Sequence, residues 1–447
     1  MTKPPFGFTN SEGDEPSDES SNDPLAALGG MPDLGAMLQQ LGSLMSGETG
    51  PVNWQVARSA AMSVIGTDAG TTAADASEVA EALRLADVWL DPVTALPSGV
   101  SSTEAWSRRR WLEATRPTWT ELVEPVAGRV SAAMGDALPE EMRTMAAPLM
   151  GMMGQIGGLI FGGQIGQALG SLATEVVSSS DIGLPLGPPG VAALLPESIH
   201  SLGTGLDLPI DQVRLFVALR EAAHHRLFGH VPWLRGHLLG AVRAYAEEIT
   251  VDTSRFEELA RGLDPSDPEA IQRAVGEGLF EPTSTPAQQA ALARLETTLA
   301  LVEGWVDTVT AAAGAPSLPS FAALQETMRR RRATGGPAER TFASLVGLEL
   351  RPRRLREAAT LWQTLGERRG IDGRDTVWAH PDLMPDADGL DDPVGWVERD
   401  TEIALDLAEL TGLADTDTDT HTGSDTDAGP DTDSGTGAPE AVEQPEN

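Results

Sequence analysis

The chain has 447 residues and no cysteine. That absence excludes disulfides, thiolate metal sites and cysteine nucleophiles, and it fits a reducing compartment. Lysine is nearly absent too, with Lys3 alone against thirty arginines. Acids dominate, and the formal net charge is −36. The ends hold much of it: residues 1–50 carry −7 and residues 414–447 carry −10. A folded part of the same sign argues against nucleic-acid binding, which needs a net basic surface. The arginine clusters at 108–110, 329–332 and 351–356 are diluted by nearby acids and read as ion-paired or solvated faces. The start, MTKPPFGFTNSEGDEPSDESSNDP, lacks a basic region followed by an apolar run. No signal peptide is visible, and a cytoplasmic protein is expected. Neither G-x-S-x-G nor G-x-x-x-x-G-K-[ST] occurs, which counts against an α/β-hydrolase serine and a phosphate loop.

What is present reads as helices. At 40% hydrophobic residues the chain can bury a sizeable core. Apolar positions spaced by three and four recur through 51–135, where Ser77 serves as a helix start and Asp91-Pro92 as its stop. Trp89, Trp106, Trp111 and Trp119 in this part read as core. Residues 144–174 carry no charge after Arg143, and Gly154, Gly158, Gly162, Gly166 and Gly170 form an i+4 series. On a helix that series makes a groove for another backbone. Gln155, Gln164 and Gln167 punctuate the stretch, so a buried helix is expected and not a membrane span. Gly and Pro break the period over 176–200, where short strands are expected near Ile182–Leu186 and Val191–Leu195. Pro232 ends one helix, His237 begins another, and Pro286 opens a long one. In that last helix Leu292, Leu295, Leu299, Val302, Val306 and Val309 form a packed seam, and Glu303 flanks it. A carboxylate there either reaches the rim or meets a metal or a cation. Further helices are expected over 339–413. The leader 1–50, with a Met37–Met45 amphipathic segment, and the Asp/Thr-rich tail 412–447 have the composition of disorder. The expectation is one mainly α domain over 51–411 with a few short strands and disordered acidic termini.

The most informative stretch is Val213 to Leu238, VRLFVALREAAHHRLFGHVPWLRGHL, with four of the seven histidines. Arg220-Glu221-Ala222-Ala223-His224 has the spacing of H-E-x-x-H, with Arg in place of the first His. Two imidazoles four apart on a helix can share one zinc ion, and the Glu between them can take a proton from metal-bound water. Glu221 and His224 keep their positions, whereas an arginine offers only donors and cannot ligate. His225, four residues after Glu221, His230 and His237 are the imidazoles that could replace the missing ligand. His200 and His380 lack ligand-spaced partners and read as structural.

With its flanks, this segment resembles the zincin-like metallopeptidase family, found mainly in actinobacteria and also labelled as hydrolases. The resemblance rests on PFGF at 5–8, GPVNW at 50–54, DLPIDQVRLFVALREAAHHRLF at 207–228 and LVEGWVD at 301–307. It continues in ERTFASLVGLELRPRRLREAATLW at 339–362 and VWAHPDLMP at 377–385. The chain resembles the subgroup that reads R-E-x-x-H. The resemblance implies a zincin-like fold, zinc as cofactor and a peptide or small-molecule substrate. It further implies Glu221 as the catalytic base, and His224 with Glu303 as metal ligands. Metal-activated water would then attack an amide or ester carbonyl. The departure at Arg220 puts both metal and activity in doubt, and three readings stay open. One is a member with weak or no peptidase activity, in which Arg220 pairs with Glu303 or Glu221. Another is an active hydrolase with a rearranged ligand set. The third is a binding or scaffold protein without catalysis.

Overall fold

Helical periodicity in the sequence becomes helices in the structure, and the glycine series decides how two of them meet. The structure, a computed structural model, describes residues 50–136, 140–248, 285–333 and 354–399. The Met37–Met45 segment, the RTFASLVGL stretch and most of both acidic ends lie outside the described residues. Helix α1 (Trp54–Ile65) starts at Asn53, whose side chain accepts from the Val56 N–H. Helix α2 (Ala73–Leu90) starts ahead of the expected Ser77. Thr72 and Asp75 form a capping box there and satisfy two backbone donors reciprocally. It stops at Asp91-Pro92, where a 3-10 turn, Asp91–Val93, takes over. Helix α3 (Arg108–Asp136) buries Trp111 and Trp119 completely. Helix α4 (Glu140–Glu175) presents Gly162, Gly166 and Gly170 to α1 and its cap. A Cβ at Gly162 would lie 2.5 Å from the Asn53 carbonyl oxygen, and one at Gly166 would lie 2.2 Å from that of Ala57. The Asn53 N–H donates to the Gly158 carbonyl at 3.0 Å. The expected groove is therefore filled by the backbone of α1. Among the described residues no helix is long and apolar enough to cross a membrane.

Among the described residues the sheet is a single parallel pair. β1 (Ser102–Ala105) runs beside β2 (Val191–Leu194), with Ser102 opposite Val191 and Ala105 opposite Leu194. The expected strand at Val191 forms, whereas the one at Ile182–Leu186 does not. There Gly183 has φ 77° and turns the chain, and Pro185, Pro188 and Pro189 have no N–H for a ladder.

Helices α5 (Pro196–Leu206), α6 (Ile210–His230) and α7 (Pro232–Glu247) follow. Pro232 does break the chain direction, but it also occupies the first turn of α7, where its missing N–H costs no bond. The helix thus begins ahead of His237, which lies in its interior. Helix α8 (Pro286–Gly314) starts at Pro286 as expected, behind a Thr285–Gln288 capping box. Its seam is buried from Leu295 to Val309. Helices α9 (Phe321–Ala333), α10 (Leu355–Thr376, bent at Gly370 with φ 73°) and the short α11 (Ala387–Asp391) follow, and residues 393–399 at the end of the described part are helical too.

The architecture centres on α6. It is surrounded by α2, α5, α8, α9 and β2, and every residue from Phe216 to Leu227 is buried. Those twelve residues span more than three turns, so no side of this stretch faces water. Charged side chains inside it must find partners within the protein. The arginine clusters outside it are ion-paired: Arg108 with Glu197, Arg110 with Glu104, Arg330 with Glu326 and Arg331 with Asp181.

Candidate functional site

Arg220, Glu221, His224, His225 and Arg226 all sit in the enclosed part of α6, and each takes a different set of partners. Arg226 is the simplest. Its guanidinium donates to the carbonyls of Leu96 and Asp87 and to the carboxylates of Asp87 and Asp91, tying α6 to the end of α2.

Glu221 is fully buried and receives five donors. The Ser179 and Ser180 hydroxyls donate to its two oxygens. The Ser180 N–H adds a bond at 3.1 Å and the Ala193 N–H another at 3.3 Å. His225 Nε2 lies 3.3 Å from Oε1. Burial alone would raise the Glu221 pKa. The His225 hydrogen bond and charge and the two serine hydroxyls outweigh it and hold the carboxyl down at about 2. Glu221 thus binds α6 to β2 and to the loop after α4.

Arg220, His224 and Glu303 form the second cluster. Arg220 Nη2 donates to Glu303 Oε2 at 2.6 Å. His224 Nε2 lies 3.1 Å from Glu303 Oε1, and His224 Nδ1 lies 2.9 Å from the Arg220 carbonyl oxygen. Both ring partners are acceptors, so both contacts are hydrogen bonds when the ring is protonated on both nitrogens. Phe228 stacks on the imidazole, with ring centroids 5.9 Å apart. Arg220 is 6% exposed, His224 1% and Glu303 2%, so the cluster has no open face to solvent. The loop after α4 closes it: a Cβ on Gly183 would meet Glu303 Oε1 at 2.6 Å. One turn along α8, Asp307 accepts from Arg329 Nη2 at 2.6 Å and from Gln325 Nε2 at 3.1 Å, so that acid is also neutralised by a cation.

The structure thus brings together three residues named from the sequence, Arg220, His224 and Glu303, and gives Glu221 a separate donor set. The three spare imidazoles lie elsewhere. His225 faces Glu221, His230 Nε2 contacts the Ser98 carbonyl at 3.2 Å, and His237 packs edge-on against Trp233. Exposed His380 caps the backbone of Asp382, and His200 is exposed on α5. Sequence reading missed Ser179, Ser180 and Gly183. Their only local signal is a polar turn, SSSDIG, after a long helix.

A catalytic zinc needs three protein ligands with an open fourth position. Here two candidate donor atoms face each other, His224 Nε2 and Glu303 Oε1, and a guanidinium occupies the other carboxylate oxygen. Among the described residues no three His, Asp or Glu side chains converge on one point. The donor set as it stands does not fit such a site.

Comparison with known proteins bears on the family. A crystal structure described as "a putative hydrolase with a novel fold" from Chloroflexus aurantiacus superposes with a TM-score of 0.56 at 23% identity, covering 78% of this chain and 98% of that one. At that identity the likeness concerns the fold. No curated protein matches the chain. The family model for zincin-like metallopeptidases matches residues 52–397, which take in α6, α8 and both strands. On that match the chain belongs to the zincin-like metallopeptidase family.

Proposed function

We propose that this protein is a zincin-like family member in which Arg220 has taken the place of the metal, leaving weak or no zinc-dependent peptidase activity. The observation that carries this reading is the buried ion pair between Arg220 and Glu303 at 2.6 Å. A guanidinium fork matches carboxylate geometry and neutralises a buried acid without a metal. The same guanidinium occupies Glu303 Oε2 at 2.6 Å, so that oxygen is already committed to a cation. The Glu221 environment agrees, because a carboxylate saturated by five donors and held at about pKa 2 is a poor proton acceptor. A rearranged ligand set gains no support, since the His225 and His230 rings are hydrogen-bonded away from Glu303 and His237 lies on α7 against Trp233.

The test is metal content by elemental mass spectrometry after zinc loading and buffer exchange. Native protein, His224→Ala and Arg220→His are compared side by side. The expected result is no bound zinc in the native chain and a gain of zinc in Arg220→His, because an imidazole restores the third ligand. About one zinc per native chain, lost in His224→Ala, would sink the proposal and justify a peptidase screen.

A further inference from the structure

Trp233 and His237 are four residues apart on α7, and Arg294, Thr297 and Leu301 follow at i, i+3 and i+7 on α8. Each set therefore forms one face of its helix. The two faces meet across a cavity of about 340 Å³, closed on a third side by Pro381 and Met384. That volume lies at the small end of ligand sites. Residues 301 and 303 differ by about 200° around a helix, so the cavity lies on the side of α8 away from Glu303.

The wall is preorganised. Trp233 Nε1 donates to the Trp378 carbonyl at 2.9 Å. Its ring stacks on Trp378 at 6.1 Å, and Trp378 stacks on Trp362 at 5.1 Å. Anchoring the ring in this way removes ordering cost from any binding event. The polar groups are unengaged. Among the described residues, the Arg294 guanidinium, the His237 ring nitrogens and the Thr297 hydroxyl have no hydrogen bond or ion pair with another side chain or backbone group. Burial and the neighbouring Arg294 charge push the His237 pKa below its ordinary value, so near neutral pH the ring offers one donor and one acceptor. The one acid on the lining, Asp386, has its Oδ1 committed to the Gly389 N–H at the start of α11.

We propose that this cavity binds a small aromatic monocarboxylate. The ring of the ligand packs between Trp233, Leu301 and Met384, and its carboxylate meets the Arg294 fork with Thr297 and His237 beside it. One cation matches one negative charge, and a chain with net charge −36 repels a dianion more strongly than a monoanion. The site does not depend on the Arg220–Glu303 reading.

The experiment is isothermal titration calorimetry of the full chain with phenylacetate and 2-naphthylacetate. Phenylacetamide and the Arg294→Gln variant serve as comparisons. Arg294 is exposed, so its replacement leaves the packed core untouched, and circular dichroism checks the fold. The expected result is saturable binding of at least one acid at one site per chain. Affinity falls by about tenfold or more for the amide, and by a similar factor in Arg294→Gln. The proposal is overturned by no saturable binding of either acid, by equal binding of the amide, or by unchanged affinity in Arg294→Gln.

Discussion

Gly183 carries its backbone directly against the carboxylate of Glu303. Its φ is 77°, and a Cβ there would stand 2.6 Å from Oε1. The loop after α4 can cover the Arg220–His224–Glu303 cluster only because residue 183 has no side chain. Gly183→Ala should therefore cost about 2 to 4 kcal/mol, combining left-handed backbone strain with displacement of a buried, paired carboxylate. Chemical denaturation of the two proteins measures it. A loss under about 0.5 kcal/mol would show that the loop does not press on Glu303.

Glu221 makes stability depend on pH in a defined direction. Its folded carboxyl is held at about 2, below the ordinary 4.5. A depressed carboxyl contributes stability that is complete above the unfolded value and is lost as pH falls toward the folded one. Unfolding free energy should thus fall between about pH 4.5 and 2, with Glu221 contributing on the order of 3 kcal/mol to the total loss across that range. Denaturation midpoints across that range, for the native chain and Glu221→Gln, isolate the term. Parallel pH profiles for the two would remove Glu221 as the source.

The α1–α4 contact offers a paired test on one helix. A Cβ at Gly166 would lie 2.2 Å from the Ala57 carbonyl oxygen, whereas one at Gly163 would meet nothing within 4 Å. Gly166→Ala should destabilise by about 2 kcal/mol or more, because backbone atoms must move apart. Gly163→Ala should stabilise by up to about 1 kcal/mol through helix propensity. Thermal unfolding of both variants decides it, and equal shifts would contradict the packing described here.

Much of α8 was legible in advance. Pro286 marked its start, and the 3-4 spacing from Leu292 to Val309 marked its buried side, while for Glu303 beside that seam the rim, a metal and a cation all stayed open. The glycine series likewise announced a close helix contact, though not its occupant, α1. The start of α2 was misplaced because Ser77 and Thr72 are both good caps, and only Thr72 completes a reciprocal pair with Asp75. β1 escaped notice because four residues, Ser102–Ala105, carry too little alternation to register. The Glu221 donors escaped for a different reason. Ser179 and Ser180 lie 42 and 41 residues before it, and nothing local links a serine turn to a helix that distant.

The sequence by itself determined the helical class, the acidic charge and the Arg220 replacement. Those properties follow from residue type and short-range spacing, which act within a few turns of chain. The tertiary structure alone decided which acid met which cation. Glu221 and Glu303 are both buried carboxylates, and Arg220 stood within reach of either in the sequence. Packing α8 against α6 turned Arg220 toward Glu303, and the loop after α4 gave Glu221 its serines. The cause is desolvation: once both helices are enclosed, each charge takes the donors its neighbours in space supply, and sequence distance no longer counts.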